Sequence, residues 1–138
     1  MQEQTQKNIV EEIDSIIRAN LWFDFRVFSF GQNRLIVAGG NDLTYYHSIE
    51  IIFEEVFFVS AVFQCWHSDT KQIVFTERTD SAEINLQFEI EQGFRVFAFK
   101  AEDYNHEMVI AAKSISYNTD TVYYYPRADL KENERLAN

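Results

Sequence analysis

Three stretches of this chain, residues 21–30, 49–59 and 94–99, are apolar on both faces when read as β-strands. In the last of them, for example, Phe94 and Val96 oppose Phe97 and Phe99. An antiparallel strand with one wet face alternates apolar and polar residues, so strands that fail to alternate must be covered on both sides. Cover can come from a helix, a second sheet, the C-terminal segment or another subunit. The chain has the material for a sizeable core: 46% of its 138 residues are hydrophobic, with 13 Phe, 7 Tyr and 2 Trp against 4 Gly and 1 Pro. That length suits a single domain spanning 1–138.

One helix precedes the strands. Ile9, Ile13, Ile16 and Ile17, with Val10, form one apolar stripe at helical spacing. The spacing predicts a helix over 6–19 with Thr5 as its cap. Isoleucine is a middling helix former, so packing of that stripe must supply most of the helix's stability. From Leu21 the period changes to two. Phe23, Phe25 and Val27 share one face, while Trp22, Asp24, Arg26 and Phe28 share the other. Gly31-Gln32-Asn33 reads as a turn, and Gly39-Gly40-Asn41-Asp42 as a second turn built on residues that tolerate positive φ. Tyr45, His47, Ile49, Ile51 and Phe53 then share a face, after which the parity slips. Two glutamates make a poor hairpin, so a bulge near Glu54-Glu55 is expected.

Further strands are expected at 61–66, 72–76, 83–91, 94–100, 108–117 and 121–125, with a turn at Gln92-Gly93 and a charged tail over 127–138. The pattern predicts a mainly β, α+β domain. One N-terminal amphipathic helix precedes an antiparallel meander of about seven to nine strands (21–125), shaped as a strongly twisted sheet, a sandwich or a partial barrel. A five-residue stripe cannot cover three strands. Trp22, Phe28, Phe30, Phe97 and Phe99 lie opposite the faces assigned to the core, and a symmetric homodimer is expected to bury them.

The motifs of several enzyme classes are missing from this sequence. The glycines at 31, 39, 40 and 93 make no phosphate loop, no Gly-x-Ser-x-Gly elbow occurs, and His106-Glu107 lacks the second histidine of a zinc hydrolase. Cys65 and His67, two apart on one strand face, could both reach an ion. No recurrent metal spacing completes them, however, and His67 and His106 read as solvated loop residues. No catalytic residue, cofactor or metal is assigned. Cys65, the sole cysteine, reads as a small buried residue rather than a reactive thiol.

Charge and aromatics point to a binding surface. With 22 acidic and 12 basic side chains the net charge is −10, which disfavours nucleic acid and anionic membrane as partners. The polar N-terminus and the absence of any 20-residue apolar run predict a cytoplasmic protein with no membrane span. Glu50, Glu54, Glu55, Glu83, Glu89 and Glu91 read as solvated surface. Tyrosine suits positions with one dry and one wet end, including interfaces. The expected function is a non-catalytic interaction module that uses an acidic, tyrosine-rich surface: Trp22, Asp24, Arg26, Tyr45, His47, Tyr123 and Tyr125. Its partner would be a basic protein, as for an immunity-type inhibitor of a basic toxin. The alternative is a calyx for a small apolar ligand, or an enzyme using Asp24, Arg26 and His47. The closing Val122–Arg127 segment and the meander from Leu35-Ile36-Val37 to Ile51-Ile52-Phe53 resemble small bacterial β-domains, without a motif that carries a role to any residue.

Overall fold

The computed structural model describes residues 2–78, 89–90 and 93–137, with side chains from residue 9 onward. The chain forms α1 (Gln2–Arg18), β1 (Phe23–Gly31), β2 (Arg34–Gly40), β3 (Tyr46–His47), β4 (Ile49–Ser60) and β5 (Trp66–Ser68). It continues with β6 (Phe75–Arg78), β7 (Arg95–Phe99), β8 (Met108–Asn118), β9 (Thr121–Tyr123) and β10 (Glu134–Leu136). Seven strands make one strongly curled antiparallel sheet, a half-barrel, in the order β5-β1-β2-β4-β8-β7-β6. A smaller sheet, β10-β9-β3, stands beside it. The mainly β, α+β class read from the sequence holds. Strand order in the large sheet leaves simple succession in three places, where β1 pairs with β5, β2 with β4 and β4 with β8. Among the described residues no helix is long and apolar enough to cross a membrane.

The helical stripe closes the concave side of the sheet. Val10, Ile13 and Ile17 are buried among Phe25, Phe53, Phe75, Phe97, Phe99 and Trp66. Each such side chain contributes roughly 1.5–3 kcal/mol by leaving water. Polar contacts fix the helix's position. Asp14 Oδ1 accepts the backbone N–H groups of Val74 (2.8 Å) and Phe75 (2.9 Å), Arg18 donates to the Thr70 carbonyl, and Tyr117 donates to Glu12. The helix begins at Gln2, so Thr5 lies within it rather than at its cap.

Several local expectations are corrected. Gly39 and Gly40 do not turn; they belong to β2, and Gly39 is required by close approach. A Cβ there would sit 2.6 Å from the Phe23 ring and 2.9 Å from the Phe25 ring. The chain turns over 42–45 instead, where Asp42 Oδ1 accepts the Thr44 N–H and its carbonyl the Tyr45 N–H. The Gln32-Asn33 turn is as read, with φ of 53° and 63°, the geometry that matches strand twist in a two-residue hairpin. The parity slip in β4 is a bulge between Val56 and Phe58, with Glu55 at φ 52°, and the strand runs through it. Residues 61–65 form no strand, and the pairing starts at Trp66, which places His67 on β5 rather than in a loop. The tail is not free either, because β10 pairs in parallel with β9. Most of the strand expected over 83–91, and Gln92 of the turn after it, lie outside the described residues; Ile90 is buried.

Both faces of β7 are covered within the chain. Phe97 and Phe99 are fully buried in the main core, contrary to their expected place on an open face. Opposite them, Val96 packs in a second cluster with Ile90, Val109 and Ala111, flanked by Phe58 and Phe94. Phe28 is covered by the small sheet, its ring 4.8 Å from that of His47 and stacked on Tyr124 at 6.3 Å. Trp22 (55%) and Phe30 (58%) remain exposed.

Candidate functional site

The small sheet carries the tyrosines. In its register Tyr46 faces Tyr123 and His47 faces Val122, so the alternation of strand faces separates an aromatic side from a buried one. The rings form a connected ladder. Tyr46 lies 6.1 Å from Tyr123, Tyr123 lies 5.7 Å from Tyr125, and Tyr125 lies 6.2 Å from Tyr45. Tyr45 and Tyr125 are exposed. The Tyr123 hydroxyl donates to Glu134 at 3.0 Å, and the Arg127 guanidinium sits 4.3 Å over the Tyr123 ring. Trp22 donates its indole N–H to the Asn41 carbonyl, next to the turn whose Asp42 carbonyl accepts from Tyr45 and Tyr46.

The opposite side of the small sheet holds a buried polar chain. His47 is fully buried, with Nε2 2.8 Å from Glu50 Oε2 and Nδ1 2.5 Å from the Tyr124 hydroxyl. The Glu50 carboxylate can only accept, so His47 donates to it through Nε2, and the Tyr124 hydroxyl pairs with the other ring nitrogen. Asn118 (3.1 Å) and Arg135 also donate to Glu50 Oε1. Burial alone would raise the Glu50 carboxyl. The hydrogen bonds from His47 and Asn118 and the charge of Arg135 outweigh it, and hold the pKa at about 2 against 4.5. Glu50 is therefore not part of a solvated acidic face. Its neighbours in sequence are a clue: a carboxylate in the run Ile49–Phe53 needs a partner if the run is buried on both sides.

A third group forms where β5 meets β1. Trp66 is fully buried, its ring 5.8 Å from Phe25 and 5.5 Å from Phe99, so its neighbours Cys65 and His67 project to the other side. The pairing sets His67 across from Asp24, and His67 Nδ1 lies 2.6 Å from Asp24 Oδ1. The Glu102 N–H donates to the His67 carbonyl at 2.8 Å and draws in the next loop, so that Asp103 lies 3.7 Å from His67 Nε2. Cys65 is exposed, not buried as expected. The hydrogen bond with Asp24 raises the His67 pKa, while burial and then Asp24 raise that of Cys65.

The seven surface residues expected from the sequence thus separate into three places. Tyr45, Tyr123 and Tyr125 share the aromatic edge, and Trp22 is hydrogen-bonded to Asn41, next to the turn that holds Tyr45. His47 lies beneath it, and Arg26 caps Tyr124, its guanidinium 4.7 Å above the ring. Asp24 belongs to the His67 group. Arg26 and His47 share Tyr124 as a partner, whereas Asp24 pairs with His67, so the three do not form one constellation. Tyr124, Glu50, Asn118 and Arg135 were not expected, and their link spans up to 85 residues of sequence. A cleft of about 480 Å³ opens between 60–62 and 103–108, while the concave interior of the half-barrel is filled by aromatic rings. Comparisons with protein-family models, with curated proteins and with solved structures find no match.

Proposed function

We propose that this protein is a non-catalytic binding module that engages a basic protein partner through the edge formed by Tyr45, Tyr123 and Tyr125, together with Trp22. The observation that carries the reading is the ring ladder with its exposed tyrosines, backed by the buried His47–Glu50 pair that Tyr124 and Arg135 flank. Aromatic rings that lose little freedom on binding are the residues from which interface anchors are made, and a backbone held by buried hydrogen bonds keeps them in place beforehand. The net charge of −10 would steer a cationic partner toward the molecule and repel anionic ones. An immunity-type inhibitor, which must hold a basic toxin in a tight complex, is one concrete form. The calyx alternative is less well supported, because the space a ligand would need inside the half-barrel is occupied by Phe25, Phe53, Phe97 and Phe99.

The test is affinity capture with two baits, the wild type and Tyr45→Ala/Tyr125→Ala. The reading expects the wild type to retain a basic protein in a stoichiometric complex that weakens with salt, and the double variant to lose it with an unchanged melting temperature. Equal retention by the two baits would exclude the tyrosine edge as the contact.

A further inference from the structure

We propose that Asp24, Cys65 and His67, with Asp103 beside them, form a binding site for a zinc-class divalent ion. Among the described residues, a ligand atom from each of Asp24, Cys65 and His67 lies within 4.8 Å of the others. A tetrahedral ion held at about 2.0–2.3 Å needs donors roughly 3.3–3.8 Å apart, a change that small side-chain rotations supply. Asp103 Oδ2, at 3.7 Å from His67 Nε2, stands at the other ring nitrogen from Asp24, so it adds negative charge beside the three donors and the fourth position falls to water. Thiolate, imidazole and carboxylate together match zinc or cobalt better than magnesium or calcium, which take oxygen ligands.

The frame that holds these donors is rigid where it must be. Trp66 is locked between Phe25 and Phe99, and Asp24 stands between the fully buried Phe23 and Phe25 on β1. Cys65 and His67 flank Trp66, and Asp24, the cross-strand partner of His67, is fixed by the β1–β5 register. Charge favours a cation as well. Asp24, Asp103 and Glu102 all act on His67, and Arg26, a cation that acts on Cys65, has its guanidinium over Tyr124 and Phe28. The ion would stabilise the folded chain, because the two segments that supply its ligands meet only there. The site is separate from the tyrosine edge, and its existence does not depend on any partner.

Titration of Zn²⁺ and Co²⁺ into the chelator-treated full chain under reducing conditions tests it. The expected result is one equivalent bound, a raised melting temperature reversed by EDTA, and a thiolate-to-cobalt charge-transfer band. Cys65→Ser should abolish the band, and His67→Gln should weaken binding at least tenfold. His106→Gln, on the wall of the neighbouring cleft, should bind as the wild type does. All three positions are exposed, so the metal-free variants should melt near the wild type, and the melt itself checks that they fold. Absence of saturable one-to-one binding, or binding undiminished in both Cys65→Ser and His67→Gln, would overturn the site.

Discussion

Gly39 and Glu50 show how single residues hold this fold, and neither does so by its usual habit. Gly39 leaves room for the Phe23 and Phe25 rings rather than adopting a special φ, so Gly39→Ala should be destabilising by about 1–3 kcal/mol, read from chemical denaturation. A neutral result would mean that both rings can withdraw. Asp14 accepts two backbone N–H groups at the start of β6, and Asp14→Ala should lower stability by about 2–3 kcal/mol by leaving them unpaired. Glu50 gives a pH signature. Its folded pKa of about 2 lies below the ordinary 4.5, so the stabilisation is complete above pH 4.5 and disappears as the pH falls toward 2. A shift of that size corresponds to at most about 3 kcal/mol. The melting temperature of the wild type should fall through this window. Glu50→Gln should start lower at neutral pH and show a flatter acid limb; parallel curves would remove Glu50 as the source.

At the scale of elements, local pattern was readable and distant pairing was not. The stripe of α1, the Gln32-Asn33 turn, the bulge in β4 and the span of β8 all follow from period and turn chemistry within a few residues. The pairing of β4 with β8, and that of Asp24 with His67, depend on where segments tens of residues apart arrive, which periodicity does not encode. The same gap hid the buried chain of the candidate site: Glu50 looks like surface until Asn118 and Arg135 are brought to it. The tail is the clearest case. Its charged composition reads as solvated, yet β10 delivers Arg135 to a carboxylate that is 3% exposed. Arg135→Ala should cost about 1–3 kcal/mol, allowing for the partial exposure of the arginine. If that salt bridge is the main contribution of β10, truncation after residue 131 should cost little more, which thermal melts of the two variants can compare.

Covering both faces of the non-alternating strands is a problem for the whole molecule, and the chain solves it largely by itself. The concave face receives α1, one convex region receives the small sheet through Phe28, and the other receives Ile90 and Phe94 around Val96. The homodimer expected from the sequence drew on five aromatics, of which Phe97 and Phe99 prove to be core and Phe28 is covered. Trp22 and Phe30 remain, and single exposed rings are normal on a monomer. The exposed end of the large sheet at β5 is three residues long, a poor template for edge-to-edge pairing. Light scattering during size exclusion should therefore give a mass near 16.3 kDa at micromolar concentration, independent of dilution. Phe97→Glu distinguishes the two views independently. In a dimer contact it would split the assembly and leave the fold intact. In the core it buries an unpaired charge, and the cooperative melt should be lost or shifted by more than about 4 kcal/mol. A variant that melts like the wild type but has half its mass would restore the two-fold contact and move Phe97 out of the core.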